Sequence, residues 1–252
     1  MTVATIGINF GLEIAINKLT EFERHKTKTD EIISLIVKTV VAQFLNTAII
    51  YYIISLMDIV LSKDIKSSFG DNGLVVNITS LIVVSGAIQI VTNLFQFGEI
   101  YKKIRNHYKY SKEKTVNLFQ IELNKELQPT EFSFAMRYAY YILNVFVVSF
   151  YSYIVPYTSL ILIMIFIAQY WVDKYNLFKR FSCPTNFNYR LSIFTLKIFE
   201  CSIFFFALGN LLFAPTIHTN SRGSDYRIIN IISLILAFAY CLAIFIVPKT
   251  WL

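Results

Sequence analysis

Charge is what this chain has least of. Only 15% of its 252 residues are Asp, Glu, Lys or Arg, against about 25% in an ordinary soluble domain. A water-soluble globule of this length needs a charged skin, and these residues are too few to make one. Glycine and proline are also scarce, at 8 and 5 residues, which excludes collagen-like and low-complexity disordered chains. Cysteine is confined to Cys183, Cys201 and Cys241. An odd count with no CxxC pair, two of the three inside apolar runs, does not read as a disulfide framework.

Catalytic signatures are missing as well. His25, His107 and His218 lie far apart in connecting segments, and there is no HExxH, GxSxG, phosphate loop or glycine-rich dinucleotide turn. No enzyme, metal site or cofactor is expected. The formal charge of +7 is spread over short segments between apolar runs, with no long basic arm, so nucleic acid is not expected as a partner.

What the chain has is apolar surface: 56% hydrophobic residues, including 23 Phe and 16 Tyr. A membrane span needs about 20 mostly apolar residues. The pattern predicts an all-α, polytopic membrane bundle of about seven transmembrane helices, at 2–19, 32–57, 74–97, 132–154, 157–172, 191–213 and 228–247. They form a single transmembrane domain over residues 1–252. The opening "MTVATIGINFGLEIAI" lacks a basic region and carries Glu13, so it reads as a weak first span rather than a cleaved signal. From Phe132 to Val172 the sequence is almost continuously apolar, about 60 Å if helical. It must turn, and Pro156 in "YSYIVPYTS" is where a helix loses a donor.

Orientation follows from the basic residues. Lys and Arg number three in 20–31, seven in 98–131 and four in 173–190, against two in 58–73, none in 155–157 and two in 215–227. The alternation puts the N-terminus outside and the C-terminus inside. The segment "QYWVDKYNLFKRF" then marks the inner end of the fifth span, with Trp171, Asp173, Lys174 and Tyr175 as interfacial anchors. The inner loop 98–131 is expected to hold an amphipathic helix at 113–127, with Val116, Phe119, Leu123 and Leu127 on its apolar face. The protein is expected to be integral and multi-pass, in the plasma membrane or an organelle membrane, the mitochondrial inner membrane included, with the lipid bilayer as its first partner.

Polar residues inside the spans are the candidate functional groups. Lys38, Arg137 and Lys197 lie near inner ends and can snorkel. Glu13 and Glu200 are harder to accommodate, although Lys197 and Glu200 are spaced to pair. In the third span Ser85, Gln89, Asn93 and Gln96 recur on one helical face, bordered by Thr92. The second span offers Gln43, Asn46 and Thr47; the fourth offers Tyr141, Asn144 and Ser152. Such a stripe is either glue between helices or the wall of a water-filled route. Gly86 is a hinge candidate or a packing contact.

Three blocks, in order, carry a resemblance. "KLTEFERHKTKTDEIISLIVKTVVAQFLNT" (Lys18–Thr47), "PTEFSFAMRYAYYILNVFVVSFYSYIVP" (Pro129–Pro156) and "YWVDKYNLFKRF" (Tyr170–Phe181) resemble the osmosensitive calcium-permeable cation channel (OSCA) family. That family belongs to a superfamily with the anoctamins and TMC channels. The resemblance implies that the seven helices match the later helices of the family's membrane domain. It also implies an ion route bordered by the first four, with the third as mobile gate. Gln43, Asn46, Ser85, Gln89, Asn93, Gln96, Tyr141 and Asn144 become pore-lining candidates, and Glu13, Lys197 and Glu200 intramembrane charge candidates. The family's further N-terminal helices and cytosolic domain have no match here. The expectation is a truncated or split homologue of a mechanically or osmotically gated cation channel. Other protein chains, in a homo-oligomer or hetero-complex, would supply the missing helices. The rival is a non-conducting structural or accessory subunit; lipid scrambling is a weaker third reading.

Overall fold

A computed structural model describes residues 2–62, 73–111, 119–182, 189–217 and 223–246. Within them the apolar runs fold as helices, and no strand is present among the described residues. The helices are α1 (Thr2–Phe22), α2 (Lys28–Phe44), α3 (Ile50–Ser62), α4 (Leu74–Phe95), α5 (Phe97–Ser111), α6 (Gln120–Leu127), α7 (Phe134–Tyr151), α8 (Thr158–Lys179), α9 (Tyr189–Glu200), α10 (Ser202–Ile217) and α11 (Gly223–Ile246). A π-helical segment, Leu45–Ile49, joins α2 to α3.

Five stretches are long and apolar enough to cross a membrane: Lys28–Ile54, Leu74–Lys109, Thr158–Lys179, Tyr189–Ala214 and Arg227–Ile246. Their outward surfaces are apolar too. On α11, Ile235 and Leu236 are 61% and 65% exposed. A contiguous apolar face of this kind is costly in water and natural against lipid, so the protein is membrane-embedded. The regions expected as first and fourth spans fold as α1 and α7, which are not among the five. For α7 the reason is its position. Ten of its 18 residues are buried, so it faces protein rather than lipid and tolerates Arg137, Asn144 and several tyrosines.

The chain divides into two compact units. The first comprises Met1–Val84, Phe134–Ile163 and Phe187–Leu252. Here α7 packs against α2 and α10 around an aromatic core. Phe44 meets Phe205 at 4.5 Å and Phe150 at 5.8 Å between ring centroids, and Phe213 meets Phe150 and Tyr151 at 5.5 Å each. Gly209 allows α10 to approach α7 closely: a Cβ there would fall 1.9 Å from the Phe150 carbonyl oxygen. The turn into α2 is encoded locally. Arg24 takes a left-handed φ of 48°, and the Thr27 hydroxyl accepts from the Asp30 amide at 3.1 Å. Asp30 and Glu31 then face the positive end of the helix. The break expected around Pro156 is present, between the end of α7 at Tyr151 and the start of α8 at Thr158.

The second unit comprises Ser85–Ser133 and Met164–Asn186. Gly86 lies in the uninterrupted α4 against Ile165, whose Cδ1 would sit 2.6 Å from an added Cβ. The change of direction comes later, at Gln96, with φ 48°. The segment after α6 is pinned to the end of α8: Ser182 donates its amide to Thr130 O and accepts from the Phe132 amide, each at 3.2 Å.

Several helices differ in extent from expectation. α8 runs to Lys179, beyond the predicted end at 172, because the end of an apolar run marks the membrane boundary rather than the end of helical hydrogen bonding. The predicted helix 191–213 is interrupted at Cys201, between α9 and α10. Of the predicted helix 113–127, Gln120–Leu127 is helical, with Phe119 and Ile121 exposed; residues 113–118, including Val116, lie outside the described residues.

Candidate functional site

Polar side chains on apolar helices need partners, because lipid offers none. In the first unit they find each other along a seam between α1 and the α2–π junction. Asn46 donates to Asn9 Oδ1 at 2.8 Å, and Asn9 donates through Nδ2 to Thr47 Oγ1 at 3.0 Å. Gln43 reaches the Asn9 carbonyl at 3.3 Å, and Thr5 donates to the Tyr51 hydroxyl at 3.5 Å. Gln43, Asn46 and Thr47 are all buried. The π-helical segment falls at this seam, where its wider turn leaves a carbonyl for an outside donor: Tyr151 OH donates to Ala48 O at 2.6 Å.

The two candidates on α7 take no part in these bonds. Asn144 is buried and donates to the Tyr140 carbonyl of its own helix at 2.8 Å, while Tyr141 is half-buried and engaged. Glu13 lies farther along the α1 face that carries Thr5 and Asn9, and the Arg137 charge acts on its carboxylate. Lys197 and Glu200 are both half-buried and engaged in the last turn of α9.

The third-span stripe belongs to the second unit. Ser85 and Gln89 are half-buried, while Asn93 is buried. Around Asn93 the carbonyls at the end of α4 are met by side chains. Asn176 donates to Asn93 O at 2.6 Å, Gln96 Nε2 to the same oxygen at 2.9 Å, and Arg180 to Leu94 O. Asn176 and Gln169, a fully buried pair on one face of α8, sit at i and i+7. Gln169 donates to Asp173 Oδ1 at 3.1 Å. Three buried amide atoms on α4 and α8, Asn93 Nδ2, Gln169 Oε1 and Asn176 Oδ1, have no hydrogen-bond partner among the described residues.

The residues expected as interfacial anchors divide by face. Trp171 and Tyr175 are exposed. Lys174 Nζ lies 5.3 Å from the Trp171 ring centroid and 5.8 Å from that of Tyr170, and the Arg180 guanidinium stands 5.2 Å from Tyr175. Such cation–π contacts suit aromatic rings at a headgroup boundary.

Sequence reasoning missed Asn9, Gln169 and Asn176. A signal for each was present. Thr5, Asn9 and Glu13 recur every fourth residue, and Gln169, Asp173, Asn176 and Arg180 recur at i, i+4, i+7 and i+11 on one helical face. Among the described residues no group of three His, Cys, Asp or Glu side chains is placed to hold a metal. No protein-family model matches the chain, and no curated protein matches it.

Proposed function

We propose that the chain is a passive cation conduit of the osmosensitive channel type, seven-spanning, with its N-terminus outside and its C-terminus inside, acting with further protein chains. The observation that supports this reading is the set of buried amide atoms on α4 and α8 without partners among the described residues. Each such atom costs about 1–3 kcal/mol when unsatisfied, and buried polar sites of this kind are ordinarily met by water. Two of the three are oxygens, Gln169 Oε1 and Asn176 Oδ1, the ligand type that hard cations take. The stripe Ser85, Gln89 and Asn93 leads along α4 to this point, which gives the helix a hydrated face. Opening follows when membrane tension favours one of two α4 arrangements. The polarity of the spans rests on the basic-residue alternation, and the channel type on the three sequence blocks.

A second reading has its own support. The α1–α2 seam satisfies its amides internally, as a non-conducting brace in a larger assembly does. Purified protein in liposomes separates the two. The conduit predicts stretch-activated cation current that changes in Gln89→Leu, and reaction of Gln89→Cys with a water-soluble thiol reagent in a background free of other cysteines. A folded protein that is silent under tension and inert to the reagent is a brace.

A further inference from the structure

Helix α5 is amphipathic in the opposite sense to a helix of a soluble protein. Its buried face is polar, with Glu99 and Asn106 at 8% and 7% exposure, while Ile100, Tyr101, Ile104 and Tyr108 stand outward. At i, i+1, i+4 and i+8 these four share one helical face. An outward apolar face requires an apolar medium, which is the way an interfacial helix lies in a membrane surface. The chain position agrees. The preceding α4 covers about 33 Å, enough for the hydrocarbon core, and Gln96 ends it before α5 begins.

A cavity of about 560 Å³ opens beside α5 in the same unit, and Lys102, Lys103, Lys179 and Arg180 line it, with Glu99 as the only carboxylate among the described residues that line it. Two of these cations are held in place: Lys102 donates to Gln128 O at 2.7 Å, and Arg180 to Leu94 O. The carboxylate is occupied too, accepting from the Thr130 hydroxyl. Lys103 and Lys179 form no ion pair among the described residues. Four fixed or free cations around one engaged anion make a site for a multiply charged phosphate-bearing group, since Lys acts on phosphate as a point charge and Arg as a planar donor.

We infer that this cavity binds the phosphorylated headgroup of an anionic membrane lipid, the acyl chains lying along the apolar face of α5. Phosphate from a soluble metabolite shares the headgroup chemistry, but it makes no use of Ile100, Tyr101, Ile104 and Tyr108. The membrane boundary marked by Trp171 and Tyr175 on α8 lies one to two turns before Lys179 and Arg180, which sets the cations at headgroup depth. The inference stands independently of ion conduction.

The test is equilibrium binding to the full chain in detergent with three probes: short-chain phosphatidylinositol bisphosphate, short-chain phosphatidylcholine and soluble inositol trisphosphate. The bisphosphate lipid is expected to bind, more weakly as salt rises, and to lose about tenfold or more in affinity in the double variant Lys103→Gln/Lys179→Gln. Both side chains are exposed, so the variant is expected to melt like the parent, while Lys26→Gln leaves binding unchanged. Ile104→Gln should weaken the lipid and leave the trisphosphate unaffected. The inference is overturned if the bisphosphate lipid binds no better than phosphatidylcholine or if the double variant binds like the parent. It is equally overturned if the soluble trisphosphate binds as tightly as the lipid, which would make the cavity a solute site.

Discussion

The Asn176 side chain donates to the main-chain carbonyl of Asn93 at 2.6 Å, across 83 residues of sequence. The last carbonyls of a helix have no partner within it. At the end of α4 one of them is met by an amide from α8, beside the left-handed Gln96 that redirects the chain. The Asn of "DKYNL" is therefore a helix cap supplied from another helix.

Replacing Asn176 with Leu removes that donor and leaves the α4 terminus short of a partner. The expected loss is about 1–3 kcal/mol, seen as a fall in Tm of about 2–4 °C per kcal/mol for a chain of this size. Asp, which has the shape but cannot donate when ionised, should not rescue. An unchanged melt for Asn176→Leu would remove the cap from the account of α4.

Two glycines should respond oppositely to alanine. At Gly209 the new Cβ meets backbone, 1.9 Å from Phe150 O, and backbone in a packed helix pair cannot step aside. Gly209→Ala should prevent recovery of monodisperse protein. At Gly86 the obstacle is the end of the Ile165 side chain at 2.6 Å, which can rotate, and alanine improves helix propensity by about 1 kcal/mol. Gly86→Ala should be recovered in normal yield. Size-exclusion profiles of both variants decide.

The α1–α2 seam can be weighed by a double-mutant cycle on Asn9 and Asn46, whose side chains meet at 2.8 Å. Interhelical hydrogen bonds in membranes average about 0.6 kcal/mol and reach about 1.7. Asn9→Leu, Asn46→Leu and the pair should give a favourable coupling in that range by unfolding in mixed micelles. A coupling of zero would mean that each amide is stabilised elsewhere.

Between α1 and α2, outside the five apolar stretches, Glu23 accepts from Lys38 and from His25 at 3.0 Å. The Lys38 hydrogen bond, chiefly, holds the Glu23 carboxyl below its ordinary value, against a smaller opposing effect of desolvation. A carboxyl lowered in the folded state stabilises fully above its unfolded value, about 4.3, and loses that contribution as pH falls through the folded value. Melting temperature against pH should therefore dip on the acid side of about 4.3. Glu23→Gln should flatten that part of the profile. If parent and variant fall in parallel, other carboxylates control acid stability.

Asn9 and Asn176 illustrate what could be anticipated. Each stands in a polar i, i+4 or i+7 series on an otherwise apolar helix, so its importance was available from spacing. Its partner was not. Thr47 lies 38 residues from Asn9, and nothing in the local pattern favours it over Gln43 or any other amide. The π-helical turn at Leu45–Ile49 is of the same kind, since its spare carbonyl is taken by Tyr151, 103 residues away.

Sequence alone determined that the chain is helical, membrane-embedded and turned near Pro156, because bilayer thickness and the missing backbone donor of proline act on consecutive residues. Tertiary structure decided which polar groups became satisfied: the seam of Asn9, Asn46 and Thr47, the cap from Asn176, and the outward apolar face of α5 beside a cavity of cations. Helix geometry fixes which side chains share a face, but in lipid a polar group takes whichever partner packing brings within about 3 Å, and only the folded chain specifies that.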